Sequence, residues 1–311
     1  MPLIIFLCLL ACIAIALILG VRYTYKRAFK RAIRTDADYY RGIDNKDRVP
    51  DPVGCRALID RMLALETERV EIRSFDGVKL VGYYLHVRDD APLEIMMHGF
   101  RSSWQRDFCG ISRFAVELGH NILFVDQRAH GESEGNVISY GVNESMDAVA
   151  WVRYAVSRFG CGVKIALVGV SMGGASVLNA AGREDLPCVY AIVADSPFSS
   201  AKGVIKEVGK RGRMPAALVS ALAHITARLY GFSLSYGEIC ESVAKSDIPM
   251  LIVHGKKDAL VPYEMAKALE AASPKVKLES FEGADHVGSY FHDTERYFGF
   301  YKEFMERCGL L

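Results

Sequence analysis

Short apolar runs rich in β-branched residues recur along most of the chain and predict eight β-strands. The first two runs, 69–74 and 78–87, are separated by the turn residues "FDG", which is typical of a β-hairpin. The six later runs span 93–99, 121–126, 164–169, 189–195, 250–255 and 276–281.

Helical periodicity fills most of the intervals between these strands. Across 145–159, Val149, Val152 and Val156 recur three or four residues apart, and similar spacing returns across 291–304. Alternating strands and helices imply right-handed crossovers and a mainly parallel sheet with helices on both faces. The opening hairpin would supply an antiparallel edge. We therefore predict an α/β fold with an eight-stranded, mostly parallel sheet.

The interval 197–249, between the sixth and seventh strands, is too long for a single crossover. Within it, Leu218, Leu222, Ile225 and Leu229 recur at helical spacing, so a helical cap inserted above the sheet is predicted. The cap begins with several basic residues and one acid: Lys202, Lys206, Glu207, Lys210, Arg211 and Arg213. We favour a solvated face for this group over a site that attracts anionic substrates.

The N-terminal run 3–21 contains no charged or strongly polar side chain. As a helix, the nineteen residues of this run would rise ~28 Å, about the thickness of a bilayer's hydrocarbon core. A cleaved signal peptide would begin with basic residues, be shorter and end in a small-residue cleavage site. A lipoprotein signal would use Cys12, but the apolar run continues past it. We therefore predict that residues 1–21 form an uncleaved transmembrane anchor.

Basic residues follow this run directly, with no acid among them: Arg22, Lys26, Arg27, Lys30, Arg31 and Arg34. The positive-inside rule predicts that they keep the following domain in the cytoplasm, and they also suit contact with anionic head groups. Residues 22–65 are predicted to form a basic juxtamembrane segment and linker, and residues 66–311 the main domain. The cysteines outside the anchor form no C-x-x-C pair, which fits reduced thiols in the cytoplasm.

The overall charge balance argues against one class of partner. With 38 basic and 37 acidic residues the net charge is +1, so the whole chain gives no electrostatic argument for binding nucleic acid. The sequence specifies no oligomeric state. The candidate chemistry is instead concentrated at the ends of the predicted strands, where open parallel sheets bind their ligands.

A serine follows the fifth predicted strand directly. The segment "GVSMG", residues 169–173, leads from this strand into a predicted helix. A nucleophile on such a sharp turn adopts strained dihedral angles, and Gly169 and Gly173 relieve the crowding between strand and helix. The turn also places the oxygen of Ser171 at a helix N-terminus, which favours negative charge. We therefore identify Ser171 as a candidate nucleophile on a nucleophile elbow.

A serine nucleophile needs a base that accepts its proton and an acid that orients the base. The seventh strand leads into "HGKKDALVP", which contains Asp258, and the eighth into "FEGADHVGSY", which contains His286. The chain order of serine, acid and histidine is that of the nucleophile-elbow architecture. Asp195, after the sixth strand, remains an alternative acid, and His292 an alternative base.

Two backbone amides are candidates for stabilising the negative charge that develops on the substrate oxygen. One belongs to Met172, directly after the nucleophile, and the other to Phe100 in the loop after the third strand. Only the N–H groups act there, so both side chains are free to line a pocket. His98 and His254, which each precede a glycine at a strand end, are interpreted as structural loop residues.

These segments together resemble the α/β-hydrolase superfamily across residues 66–308. The segments "HGF", "DQRAHGESEG", "GVSMGG", "HGKKDALVP" and "GADHVGSY" stand in the order that this family uses. The end of the cap is similar to the membrane-anchored bacterial branch, close to BEM46-like and serine-aminopeptidase-like hydrolases. One departure is Ala129, where the family commonly has glycine. Because it lies outside the predicted triad, we expect a local backbone adjustment rather than lost chemistry.

The resemblance implies a hydrolase of esters, thioesters or amides that forms an acyl-serine intermediate and uses no metal or cofactor. In that chemistry Ser171 attacks, His286 transfers the proton and Asp258 orients the imidazole. A carboxylesterase acting on a small-molecule or lipid-derived acyl substrate is the favoured prediction. An aminopeptidase or amidase of the same fold and a non-catalytic, membrane-tethered binding module are the alternatives.

Overall fold

All eight predicted strands are present in the computed structural model, which describes residues 1–31, 36–40, 42–44, 49–212 and 214–311. Arg34 and Arg213, from the two predicted basic groups, lie outside the described residues. The strands are β1 (Glu68–Arg73), β2 (Lys79–Leu85), β3 (Leu93–Met97), β4 (Asn121–Asp126), β5 (Ile165–Val170), β6 (Val189–Asp195), β7 (Met250–Gly255) and β8 (Val276–Phe281).

The strands form one sheet in the order β1-β2-β4-β3-β5-β6-β7-β8. Strand β2 runs antiparallel to both of its neighbours, and the other pairs are parallel, which confirms the predicted mostly parallel sheet. Every residue of β3, β4, β5 and β7 is buried, as expected for parallel strands covered on both faces. The carboxyl ends of β5, β6 and β7 therefore meet at one edge of the sheet.

The helices alternate with these strands from β3 onward. They are α1 (Pro2–Thr24), α2 (Pro52–Leu63), α3 (Trp104–Asp107), α4 (Ser112–Leu118), α5 (Val142–Phe159), α6 (Met172–Ala180), α7 (Ala201–Arg211), α8 (Ala216–Leu229), α9 (Ile239–Ala244), α10 (Tyr263–Ala272), α11 (Ser289–His292) and α12 (Thr294–Arg307). A π-helical turn covers Tyr25–Phe29, and 3-10 turns cover Asp36–Tyr40 and Leu234–Gly237.

Two hydrophobic cores lie on opposite faces of the sheet, because side chains alternate along each strand. Ile95 and Met97 of β3 join the core that contains Trp151 of α5. Met96, between them, joins the other core with Tyr301 of α12. The sheet is thus fixed from both sides, and the loops at its carboxyl edge are held on a rigid support.

The region predicted to be a cap contains α7, α8 and α9, and the helix predicted around 218–229 is present. The face of α8 that packs against the domain is not the one marked by the predicted apolar stripe. Leu218, Ile225 and Leu229 are 48%, 38% and 67% exposed. The buried face consists largely of smaller residues: Val219, Leu222, Ala223, Thr226 and Ala227. Helix α8 is therefore apolar on both sides, and its larger apolar residues point outward.

The C-terminal segment contains two helices where the periodicity across 291–304 suggests one. The break lies at Asp293, whose carboxylate accepts a hydrogen bond from the backbone N–H of Arg296 at 3.0 Å and caps α12. The side chains that α12 buries are Tyr297, Phe300, Tyr301, Phe304 and Met305. Phe298, which the regular stripe includes, is only half-buried.

Helix α1 has the length and composition of a membrane span, and none of its residues is buried. The chain that follows does not leave the domain as a free linker. Phe29 is completely buried, with its ring centroid 5.7 Å from that of Tyr140 and 5.6 Å from that of Phe232. Lys30 pairs with Val137 in an isolated β-bridge. Residues 25–31, which the sequence places in a juxtamembrane linker, thus pack against the folded domain.

Replacement of Phe29 by alanine is expected to destabilise this domain. Removing a buried phenyl ring costs about 3–5 kcal/mol, which corresponds to a fall in Tm of roughly 10 °C for a domain of this size. Thermal unfolding of the full chain in detergent micelles, followed by tryptophan fluorescence, measures the shift. Phe6→Ala, in the exposed part of α1, is the matched control. Equal Tm values for the two variants would contradict a structural role for residues 25–31.

Candidate active site

Ser171 lies on a strained turn between β5 and α6. Its backbone angles are φ 54° and ψ −114°, a region that L-residues rarely occupy. The backbone N–H of Ser171 donates to the carbonyl of Asp195 at 2.7 Å, which ties the turn to the end of β6. Its side chain is half-buried at the carboxyl edge of the sheet. Ser171 is the only residue between β5 and α6, so the chain changes direction at this single residue.

The two glycines around the serine are required by close backbone contacts. A Cβ atom on Gly169 would lie 2.4 Å from the carbonyl carbon of Gly173. A Cβ atom on Gly173 would lie 1.8 Å from the carbonyl oxygen of Met97. Side chains at either position would push α6 away from β3 and β5. The turn therefore has the shape that the sequence predicts for a nucleophile elbow.

Three predicted side chains meet at this edge of the sheet. The Nε2 atom of His286 lies 2.9 Å from the Oγ atom of Ser171, and the Nδ1 atom of His286 lies 2.7 Å from Oδ2 of Asp258. Asp258 follows β7 and His286 follows β8, so the loops after three different strands supply the three residues. Asp258 and His286 are buried, at 8% and 7% exposure. The oxygen of Ser171 faces His286 from the elbow.

The carboxylate of Asp258 is held by more than His286. Its Oδ1 atom accepts hydrogen bonds from the backbone N–H groups of Leu260 at 2.8 Å and Val261 at 2.7 Å. Burial by itself would raise the pKa of Asp258, but the hydrogen bonds from His254 and His286 outweigh it. The pKa of this carboxyl is consequently held well below its ordinary value, so the group stays charged at neutral pH.

His254 is a site residue whose contact the sequence interpretation misses. Its Nε2 atom lies 3.2 Å from Oδ2 of Asp258 and 3.0 Å from the carbonyl oxygen of Val261. Because both of these neighbours are acceptors, Nε2 carries the proton and donates to them. His254 lies inside β7 and not in a loop, and it stabilises the charged form of Asp258. The signal in the sequence is the short spacing between His254, near the end of β7, and Asp258, which follows β7.

The alternative acid and base have other partners in the structure. Asp195 is buried, its Oδ1 atom accepts from Ser196 at 2.8 Å, and its Oδ2 atom accepts from Tyr297 at 3.1 Å. Burial raises the pKa of Asp195, in contrast to that of Asp258. His292 lies in α11, where its ring packs edge-on against the ring of Phe281. Neither alternative makes the contacts that join His286 to the serine.

Asp195 nevertheless supports the loop that carries His286. The Ser196 Oγ atom donates to Asp195 and accepts a hydrogen bond from the backbone N–H of Val287 at 3.0 Å. Both Ser196 and Val287 have positive φ angles, 52° and 55°. This connection fixes the backbone directly after His286, so Asp195 contributes to the position of the imidazole through two intermediates.

The two residues predicted to supply backbone amides flank the elbow. Met172 is the first residue of α6 and is completely buried. Phe100 lies in the loop after β3, where its ring stacks on Tyr140 at a centroid distance of 5.2 Å. The same loop is tied down by Asp107, which accepts from the backbone N–H of Gly99 at 2.7 Å. His98 also has a structural contact there, since its Nε2 atom accepts from the backbone of Gln127 at 3.2 Å.

Arg101 connects this loop to the chain that leaves α1. Its Nη2 atom donates to the carbonyl oxygens of Lys26 and Lys30, both at 3.0 Å. The guanidinium also lies over the ring of Phe100, 5.0 Å from the centroid. Arg101 has a φ angle of 51°, and its backbone N–H donates to Nε2 of His130 at 2.9 Å. The sequence gives no spacing signal for this contact, because it joins segments more than 70 residues apart.

The loop "DQRAHGESEG" is fixed by a buried ion pair. The guanidinium of Arg128 donates to both carboxylate oxygens of Asp147 at 2.7 Å and to Asp76 at 2.9 Å. Ala129 then adopts a φ of 60°, the left-handed region in which glycine is unstrained. The departure from the family's glycine is thus absorbed as local backbone strain away from Ser171. Among the described residues, no group of three or more His, Cys, Asp or Glu side chains could hold a metal ion.

Comparisons with known proteins identify the class. The model of the alpha/beta hydrolase family matches residues 95–299, and the chain belongs to this family. The uncharacterized protein YfhR of Escherichia coli is 24% identical over 245 residues, which cover 76% of this chain and 78% of YfhR. Human protein ABHD12B is 28% identical over 202 residues, which cover 60% of this chain and 51% of ABHD12B. The latter match is consistent with the BEM46-like resemblance.

A solved structure similar to this chain is the esterase Pf2001 of Pyrococcus furiosus. The two structures superpose with a TM-score of 0.63 at 25% sequence identity, over 79% of this chain and 94% of the esterase. The fold, the family and this neighbour together support a hydrolase activity of the esterase type in general terms.

Proposed function

We propose that this protein is a serine hydrolase that cleaves a carboxylic ester or thioester through an acyl-serine intermediate. The observation that carries the proposal is the continuous pair of contacts from Ser171 Oγ to His286 Nε2 at 2.9 Å and from His286 Nδ1 to Asp258 at 2.7 Å. In this role Ser171 is the nucleophile, His286 the general base and then general acid, and Asp258 the group that orients the imidazole.

In the first half of the reaction, the Ser171 oxygen attacks the acyl carbon and its proton passes to Nε2 of His286. The imidazolium keeps its Nδ1–H bond to the charged Asp258, which stabilises the positive charge. The negative charge on the former carbonyl oxygen is accepted by the backbone amides of Phe100 and Met172. His286 then gives its proton to the leaving alcohol or thiol, and the acyl group remains on Ser171.

In the second half, a water molecule replaces the leaving group and loses its proton to His286. The hydroxide attacks the acyl-serine carbon, and the same two amides accept the charge. His286 returns the proton to Ser171, which releases the carboxylic acid. The proposed cycle thus consumes one water molecule and returns Ser171 and His286 to their starting protonation states.

We further propose that α1 is an uncleaved anchor and that the acyl substrate is small or lipid-derived. The packing of α1 on α8 supports retention of the segment, because Gly20 of α1 lies close to Leu222 and the chain continues in helical structure to Phe29. The basic residues after α1 support a cytoplasmic location for the domain. Esters rank above amides because their leaving groups make a smaller demand on the general acid.

Pre-steady-state hydrolysis of p-nitrophenyl esters tests the proposed chemistry. If an acyl-enzyme accumulates, a burst of nitrophenol should precede the steady rate, with an amplitude that tracks the concentration of enzyme. Esters of increasing chain length define the acyl pocket, and aminoacyl p-nitroanilides test the aminopeptidase alternative. Turnover of the anilides alone would favour the peptidase. Failure of the folded chain to hydrolyse any of these substrates would favour the non-catalytic binding module.

A further inference from the structure

The outer face of α8 is largely apolar. Leu218, Ile225 and Leu229 are exposed, Ala221 between them is also exposed, and Arg228 is the charged residue beside them. A helix with apolar residues on all sides normally lies inside a protein or in contact with lipid. Helix α8 has 14 residues, too few to cross a bilayer. A helix of this length and composition suits the membrane interface.

The same helix receives the end of α1. Residues 2–19 of α1 are exposed, whereas Gly20, Val21 and Thr24 are partly covered. A Cβ atom on Gly20 would lie 3.1 Å from the side chain of Leu222 in α8, which shows how closely the two helices pack. One turn further, the rings of Tyr25 and Tyr230 stack at a centroid distance of 4.1 Å.

The length of the exposed part of α1 determines the depth in a bilayer at which α1 contacts α8. Eighteen helical residues, the number in 2–19, rise ~27 Å, which is close to the thickness of the hydrocarbon core. If these residues cross the bilayer, α8 meets α1 at the level where the hydrocarbon ends. The outward residues of α8 then lie beside the lipid head groups and upper acyl chains.

The charges around α8 match an anionic membrane surface. Exposed basic residues lie after the span, on α7 and on α8: Arg22, Lys26, Arg27, Lys30, Lys202, Lys206, Lys210, Arg211 and Arg228. The acid present in these helices is Glu207 of α7, which pairs with Lys210 at 2.5 Å. Helix α7 packs on α8, since a Cβ atom on Gly209 would lie 2.7 Å from Val219. An apolar strip flanked by basic side chains is the pattern of interfacial membrane binding.

We propose that the outer face of α8 docks on the surface of an anionic lipid bilayer, beside the point where α1 leaves it. This inference rests on the proposed anchor. Docking would turn the cap toward the lipid.

Fluorescence quenching by brominated lipids tests this docking in the full-length protein. The Ile225→Trp variant is reconstituted in vesicles of phosphatidylglycerol and phosphatidylcholine, with bromine near the top of the phosphatidylcholine acyl chains. Tyr190→Trp is the matched control, because Tyr190 is 44% exposed and is the second residue of β6, at the amino edge of the sheet. The native Trp104 and Trp151 are buried and contribute the same background to both variants.

We expect quenching of the Ile225→Trp variant to be at least about twice that of the control, because an interfacial face enters the upper acyl region by several ångströms. Equal quenching of the two variants, in protein that resists alkaline carbonate extraction, would overturn the docking while leaving the anchor intact. Protein removed by carbonate would overturn both. If the Ile225→Trp variant were quenched equally in purely zwitterionic vesicles and in vesicles that contain phosphatidylglycerol, the assignment of anionic lipid would be overturned. Ester hydrolysis in solution reports separately on the proposed chemistry.

Discussion

Replacement of Ser171 by alanine is expected to lower kcat for p-nitrophenyl ester hydrolysis roughly 10⁶-fold, the scale seen when a triad serine is removed. The variant lacks the only atom that can form the acyl-enzyme at this position, and His286 then has no hydroxyl to deprotonate. The residual rate would come from binding and from the amides of Phe100 and Met172. Steady-state kinetics with purified full-length protein measure the loss.

A serine five residues further along the chain, inside α6, provides the control. Ser176 is buried in α6, and its hydroxyl donates to the carbonyl of Met172 at 2.7 Å. Ser176→Ala makes the same chemical change without touching the path from Ser171 to Asp258. We expect its kcat to stay near that of the wild type. Comparable rates for the Ser171 and Ser176 variants would mean that hydrolysis does not depend on the elbow serine.

Replacement of Asp258 by asparagine is expected to lower kcat about 10⁴-fold while the fold is kept, as in triads that lose the charge of the acid. An amide in this position can present an N–H to His286, which favours the wrong tautomer and leaves the imidazolium without a counter-charge. Oδ1 can still accept from Leu260 and Val261, so the loop after β7 should persist. Circular dichroism and stopped-flow hydrolysis separate folding from catalysis.

Asp195→Asn distinguishes the two candidate acids. Asp195 reaches the loop of His286 only through Ser196 and Val287, so its replacement should cause a much smaller loss of kcat than Asp258→Asn. If the Asp195 variant showed the larger loss and the Asp258 variant remained close to wild type, the acid role would belong to Asp195. The two variants thus test one assignment from opposite directions.

The strands at the centre of the sheet could be predicted because β3, β4, β5 and β7 are buried on both faces. Such strands appear as short apolar runs, and the observed bounds differ from the predicted ones by two residues or fewer at each end. The orientation of α8 could not be predicted, because its sequence is apolar on both sides and periodicity alone cannot choose between them. The break at Asp293 was hidden for a similar reason: a capping aspartate resets a helix without interrupting the apolar pattern.

The candidate triad could be located from sequence because each member follows a recognisable strand end. The sequence also predicts the crowding at Gly169 and Gly173, and the close backbone contacts at both positions confirm it. Contacts between distant segments were less accessible. His254 lies four residues before Asp258, but whether it faces that carboxylate depends on the turn between them. Arg101 binds carbonyl oxygens in the chain after α1, and backbone acceptors carry no sequence signature.

The N-terminal region illustrates the same limit. Charge and hydropathy predict where an apolar span ends, but they do not show whether the next residues stay free. Phe29 is a single aromatic residue within a basic segment, so composition favours a linker. Its burial follows from a pocket formed by Tyr140 and Phe232, which belong to the loop before α5 and the segment after α8.

The most direct measurement of the central claim is the site at which a fluorophosphonate probe modifies the folded protein. Such probes react with serines whose hydroxyl is activated by a neighbouring base. We expect one adduct per chain, mapped by peptide mass spectrometry to the Ser171 oxygen, and no adduct in the Ser171→Ala variant. An adduct on another residue, or no reaction of a wild-type chain with native circular dichroism, would contradict the account.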